Sequence, residues 1–189
     1  MIGLEGWKQA ALAEWVDMAP VDWVYTTFWF DGIAFDHAMA TGEGWERVGP
    51  QMLGYALLRG GWRHLLMNGV ALLSFGNLVT RYMGIGVTMT VLIVSAFCGA
   101  LAFGLIAQTG LPMLGASGAV FGLLGVYIAW QERALRLSGR SRMPILRQVL
   151  GLAAINLLLY FGLGGLLAWE AHLGGFIAGA LLAQVYYPR

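Results

Sequence analysis

The longest uncharged stretch of the chain, residues 82–131, runs for 50 residues without Asp, Glu, Lys, Arg or His. A single helix of that length would measure about 75 Å, whereas the hydrocarbon layer of a bilayer is about 30 Å thick. Gly110 and Pro112 interrupt the stretch within QTGLPMLGA, residues 108–116, and both residue types disfavour a continuous helix. The stretch therefore predicts two membrane-spanning helices, at 84–107 and 117–131.

Three further apolar stretches predict spans at 64–80, 147–167 and 169–187. Only 11% of the residues are charged, against about 25% in ordinary soluble domains. We therefore expect an all-α protein, a polytopic transmembrane helical bundle with five visible spans. Residues 61–189 are predicted to form this bundle. Residues 1–60 are rich in Trp and acidic residues, which predicts an external segment lying in the membrane interface.

The arginines predict the orientation of the bundle. Five of them fall in the 131–147 connection, Arg81 lies in the preceding turn on the same side, and Arg189 ends the chain. If the spans alternate, the positive-inside rule makes this side cytoplasmic. We expect a multi-pass protein of the bacterial inner membrane with a cytoplasmic C-terminus.

Charge and cysteine content disfavour several classes of function. The basic residues form no clustered soluble face, so nucleic acid is not an expected partner. The single cysteine, Cys98, lies in an apolar stretch and is expected to be a packing residue. Three histidines without a cysteine or acid cluster disfavour a metal site, and we expect no metal and no cofactor.

One serine and two histidines are predicted to share a depth in the membrane. His64, Ser117 and His172 each precede the charged residue that ends their span by 15–17 residues, which is about 22–26 Å along a helix. All three spans run in the same direction, so these side chains should lie at one height below the outer surface. Asn68 lies one helical turn deeper than His64 on the same face.

Glycines spaced four residues apart predict which spans touch. Small residues at this spacing let transmembrane backbones approach closely. They are Gly118 and Gly122 on one span, and Gly175 and Gly179 on the last span. Contact between these two stripes would bring His172 next to Ser117.

This arrangement predicts acyl-transfer chemistry. His172 would take the proton of Ser117 and make it a nucleophile. His64, Asn68 and the Ser117 amide would stabilise the developing oxyanion. We expect a Ser–His dyad, because no acid at that depth would orient His172 unless Glu170 reaches it.

Phe121, one turn below Ser117, could instead stack on the imidazole. Other readings of single residues remain open: a helix-contact serine, an interhelical hydrogen bond from Asn68, or histidines acting as a proton relay or as metal ligands. A proton-coupled transporter using His64 and His172 is a further alternative, but it would require an intramembrane acid and inverted repeats, and neither is present in the sequence.

The motifs around these residues resemble those of the rhomboid family of intramembrane serine proteases. GASGAVFG at 115–122 is similar to the family's G-x-S-G-x-x-x-G, HLLMN at 64–68 to its H-x-x-x-N, and AHLGGFIAG at 171–179 to its last-span motif. The resemblance implies Ser117 as nucleophile, His172 as base, and His64 and Asn68 as oxyanion donors. It also implies that Gly115 keeps backbone clear of the site. The substrates would be single-span proteins cut within or near the lipid bilayer.

The sequence departs from the family pattern at three points. Pro50 and Gln51 stand where members carry a Trp-Arg pair, and Arg59 stands where a second histidine is common. Five spans are visible where six are expected, so a first span is expected upstream of Met1 or absent. The runner-up function is a non-catalytic rhomboid-like protein that binds and routes membrane clients; such relatives usually lose the serine or histidine that this chain keeps.

Overall fold

The computed structural model describes residues 22–107 and 109–187. The helices are α1 Asp22–Phe28, α2 Gly32–Thr41, α3 Trp45–Gly54, α4 Trp62–Ile106, α5 Ser117–Leu137, α6 Met143–Gly162 and α7 Trp169–Val185, with a 3₁₀ turn at Tyr55–Leu57. Within these described ranges, β structure is limited to an isolated bridge between Phe30 and Met113. The all-α prediction is confirmed.

Helix α4 contains two of the predicted spans. Gly84 interrupts it with φ +80°, a backbone conformation that glycine adopts without steric cost. The hydroxyls of Thr80 and Thr88 meet across this kink at 2.8 Å. We call the two parts α4a (62–83) and α4b (85–106), and together with α5, α6 and α7 they give the five predicted spans.

The boundaries differ from the prediction mainly at α5 and α6. Helix α5 continues to Leu137, beyond the predicted end at 131, and so includes Glu132, Arg133 and Arg136 of that connection. Helix α6 lies four or five residues earlier than the predicted 147–167. By length and apolar composition alone, α4 and α6 are the described helices that would cross a membrane.

Helices α4b, α5 and α7 form the centre of the bundle, and α6 lies at its periphery. The core of the half distant from Ser117 consists of Val79, Val91, Leu123, Val126, Trp130 and Ala183. On α6, by contrast, Ile145 is the buried residue, and Leu150, Leu157, Leu158 and Phe161 are exposed. An apolar surface of this kind suits contact with lipid rather than water.

The segment before the bundle does not lie apart from it. Its buried side chains share a core with Ala100 and Phe103 of α4b; they are Phe30, Phe35, Val48, Met52 and Tyr55. Residues 30–57 therefore pack on the end of the bundle instead of only lying in the interface. Trp7 and Trp15 fall outside the described residues, and the division at residue 60 stays a prediction.

Candidate active site

The loop before α5 is fixed by backbone hydrogen bonds to the segment that precedes the bundle. Gly115 N–H donates to the Tyr55 carbonyl at 2.8 Å, and Phe30 and Met113 exchange two backbone hydrogen bonds of 2.9 Å. Gly115 has φ +115°, which disfavours any side chain at this position. These contacts hold the chain in place just before Ser117, the first residue of α5.

Ser117 and His172 come together across the α5–α7 interface. Nε2 of His172 lies 2.8 Å from Oγ of Ser117, a hydrogen-bond distance. His172 is 7% exposed, so the residue is shielded from competing solvent. The pair that the shared depth predicts is therefore in direct contact.

The glycine stripes explain how two helices approach closely enough for this contact. A Cβ at Gly175 would overlap the carbonyl oxygen of Gly118, and a Cβ at Gly179 would overlap that of Gly122. Backbone touches backbone along this interface, as expected for small-residue packing in membranes. Side chains at these positions would push His172 away from Ser117.

The His172 ring is held on its face and on its second nitrogen. Phe121 stacks on it with ring centroids 4.2 Å apart and planes 4° from parallel. Nδ1 lies 2.6 Å from Oδ1 of Asn156 on α6. Both ring nitrogens are thus engaged, and the group at Nδ1 is an amide on another helix, not the carboxylate of Glu170.

Asn156 is the site residue that sequence reasoning missed. It is a carboxamide inside the uncharged stretch 148–169, and polar side chains within spans usually face the bundle interior. That rule would have made it a candidate. The spacing along α6 alone did not identify His172 as its partner.

The two predicted oxyanion donors have different surroundings. The ring of His64 lies between Gly60 and Gly115, and a Cβ at Gly115 would overlap its Cε1 atom. His64 is therefore beside the loop that leads into Ser117. Asn68 instead donates from Nδ2 to the carbonyl of His64 at 2.9 Å, a bond within its own helix. One of its two amide hydrogens remains for another acceptor.

Tyr55 is a second residue that the sequence did not single out. Its buried phenol donates to the Ala96 carbonyl of α4b at 2.9 Å. A methyl group added at Gly99 or at Gly118 would press on this hydroxyl and on the Ala171 carbonyl. Burial raises the pKa of the Tyr55 phenol, which keeps it protonated as a donor where α4b, α5 and α7 meet.

Comparison with known proteins identifies the family. The model of the rhomboid domain matches residues 42–189, most of the chain. The chain belongs to the rhomboid family. Rhomboid proteins are integral membrane proteins, so the helical bundle is a membrane bundle.

Three relatives show how far the similarity extends. RHOMBOID-like protein 4 of Arabidopsis thaliana is 35% identical over 154 residues, 78% of this chain and 35% of the relative. The putative rhomboid protease YdcA of Bacillus subtilis is 28% identical over 156 residues, 82% of this chain and 74% of the relative. Rhomboid protease GluP of the same organism is 31% identical over 147 residues, 77% of this chain and 26% of the relative. The chain thus spans about a third of the first relative and a quarter of the last.

In this rhomboid chain, Gln51 stands at one of the two positions where family members carry a Trp-Arg pair. Gln51 is fully buried, and its Oε1 accepts the N–H of Asp31 at 3.2 Å. The Asp31 carboxylate caps α2 and pairs with Arg47 at 2.7 Å. Polar contacts therefore still link the segments before the bundle.

Proposed function

We propose that this rhomboid chain is an intramembrane serine endopeptidase in which Ser117 is the nucleophile and His172 the general base. The observation that carries the proposal is the 2.8 Å distance between Oγ and Nε2. Geometry of this kind, with the base held by further contacts, is the signature of an activated nucleophile.

The reaction follows from these two groups. As Ser117 Oγ bonds to the scissile carbonyl carbon, Nε2 of His172 takes the hydroxyl proton, and the carbonyl oxygen becomes an oxyanion. The imidazolium then gives the proton to the leaving amine as the C–N bond breaks. Water next attacks the acyl-enzyme, Nε2 takes a proton from it, and that proton returns to Oγ as the acyl group leaves.

The oxyanion would be stabilised by donors at the start of α5. The first amides of a helix have no partner within the helix, and preorganised donors of this type stabilise developing charge. The ring of His64 and the remaining amide hydrogen of Asn68 are the side-chain donors in this proposal. No cofactor or metal enters the scheme.

The substrates would be single-span membrane proteins cut near the outer surface of the bilayer. A helical peptide carbonyl is hydrogen-bonded and screened, so the substrate helix must unwind before Oγ reaches it. Segments with helix-weakening residues such as Gly and Pro at this depth should be cleaved best. The 109–116 loop would dip into the membrane, where irregular backbone is tolerated only beside a watered cavity or within protein.

Cleavage of a single-span substrate in reconstituted vesicles tests this function. Ser117→Ala should lower the rate by about 10³-fold or more, and His172→Ala similarly, because residues that act as a unit lose activity together. Ser74→Ala is the matched control, since that hydroxyl is exposed and bonds its own helix at the Val70 carbonyl.

Two outcomes would overturn the proposal. Wild-type cleavage by Ser117→Ala would remove the serine from the reaction. Substrate binding without cleavage by the wild-type chain, in vesicles that support an active rhomboid protease, would favour the alternative of a non-catalytic protein that routes membrane clients.

A further inference from the structure

We propose that Asn156 is a positioning residue that fixes the tautomer of His172 and makes the site depend on the position of α6. The inference rests on the proposed function, because the tautomer affects the reaction only if Ser117 is the nucleophile. Its structural part, the link between Asn156 and the ring, can be measured independently of cleavage.

The hydrogen bonds of the Asn156 carboxamide define its orientation. Nδ2 donates to the carbonyl of Leu152 one turn earlier at 3.0 Å, which leaves Oδ1 facing Nδ1 of His172 at 2.6 Å. A carboxamide oxygen only accepts hydrogen bonds, so Nδ1 must carry the ring hydrogen. Nε2 then presents its lone pair to Ser117, as a base must.

The other contacts of the ring do not make this choice. Phe121 covers the ring face and offers no acceptor in the ring plane. The Ser117 hydroxyl at Nε2 can either donate or accept, so it is compatible with both tautomers. Without Asn156, the Nε2–H tautomer becomes accessible, and in that form the ring cannot take the serine proton.

Asn156 lies on the helix that is least embedded in the bundle. On α6, Ile145 is the one described residue that is buried, and Asn156 is itself half-buried. Among the described residues, the side-chain hydrogen bonds from α6 to other helices are Asn156 to His172 and Gln148 to Gln131 at 3.3 Å. A displacement of α6 would therefore remove the acceptor from Nδ1 of His172 and let the ring populate the tautomer that cannot act as a base.

Nitrogen NMR of the full chain in micelles, labelled with ¹⁵N-histidine, tests the structural part. The His172 signals are assigned by their loss in His172→Gln. The wild-type ring should be the Nδ1–H tautomer, and Asn156→Leu should shift it toward a mixture. Asn156→Asp, which keeps an acceptor oxygen, should preserve the wild-type tautomer.

Kinetics in vesicles tests the functional part. Asn156→Leu should lower kcat by about 10-fold or more with KM unchanged, because the base is in the wrong tautomer for part of the time. Asn156→Asp should recover most of the rate. Gln148→Leu is the matched control: it removes the other polar link of α6 without touching His172, so both tautomer and kcat should stay as in the wild type.

Different results overturn different claims. An Nε2–H tautomer in the wild type, or an unchanged tautomer in Asn156→Leu, would refute the role of Asn156, as would an equal effect of Gln148→Leu. An inactive wild type with the expected tautomer shift would refute the proposed protease function while upholding the link between Asn156 and His172.

Discussion

At the scale of single residues, the imidazole of His172 is the most constrained group in the site. Three helices contribute to it: Ser117 and Phe121 from α5, and Asn156 from α6, around a ring carried by α7. A base held in one orientation does not populate rotamers in which its nitrogen points away from the nucleophile. Each of these contacts should therefore contribute to rate separately from substrate binding.

Removal of the stacking ring tests one such contact. Phe121→Leu should lower kcat by about 2- to 10-fold, because an aromatic pair contributes about 0.5–1.5 kcal/mol beyond burial. Phe121→Tyr keeps the ring and should retain most of the rate. Phe97→Leu, at an exposed position, is the matched control in the same cleavage assay, and a loss equal to that of Phe121→Leu would contradict the role of stacking.

At the scale of the helices, the α5–α7 interface determines whether the site forms at all. Gly175 and Gly179 leave no space for a methyl group, because the atoms opposite them are the backbone carbonyls of Gly118 and Gly122, which cannot rotate away. Interfaces packed this tightly do not adjust to added volume without strain. The site is therefore a consequence of small residues as much as of polar ones.

Two Gly→Ala variants test how tightly α5 and α7 pack. Gly175→Ala should lower the free energy of unfolding in micelles by about 1–3 kcal/mol, the cost of overpacking, and should lower cleavage by moving His172. Gly151→Ala on α6 is the control, since nothing lies within 4 Å of its added Cβ. Equal stability of the two variants would show that the interface is looser than described.

The sequence predicts those features that depend on distance along a helix. The number of residues between each side chain and the charged residue that ends its span predicts one depth for Ser117 and His172. Their contact follows once the glycines of α5 and α7 pack together. The partner of Asn156 depends on how α6 is rotated and tilted, which its sequence spacing does not encode. Tyr55 lies in a segment without helical periodicity long enough to indicate its place in the core.

For the whole molecule, the side of the membrane that Ser117 faces depends on the direction in which the bundle crosses it. Five arginines cluster between 131 and 147, and the loop that leads to Ser117 lies at the opposite end of α5. The positive-inside rule then predicts that this loop and the candidate site lie toward the outer surface. Water and substrate would reach Ser117 from that side.

Cysteine labelling tests this orientation. In a Cys98→Ala background, Gly110→Cys should react with a membrane-impermeant maleimide added outside sealed, right-side-out bacterial vesicles. Ser141→Cys should react only after lysis. Both positions are exposed. A difference in labelling between them therefore reports the side of the membrane on which each lies, and not burial. The reverse pattern would put the candidate site near the cytoplasmic surface.

Covalent labelling measures whether His172 makes Ser117 nucleophilic, as we propose. The wild-type chain in micelles is treated with a fluorophosphonate probe, and the modified residue is located by mass spectrometry. We predict modification at Ser117 that is lost in His172→Ala and retained in Ser74→Ala. An unmodified Ser117 in the wild type, or equal modification in His172→Ala, would contradict the account.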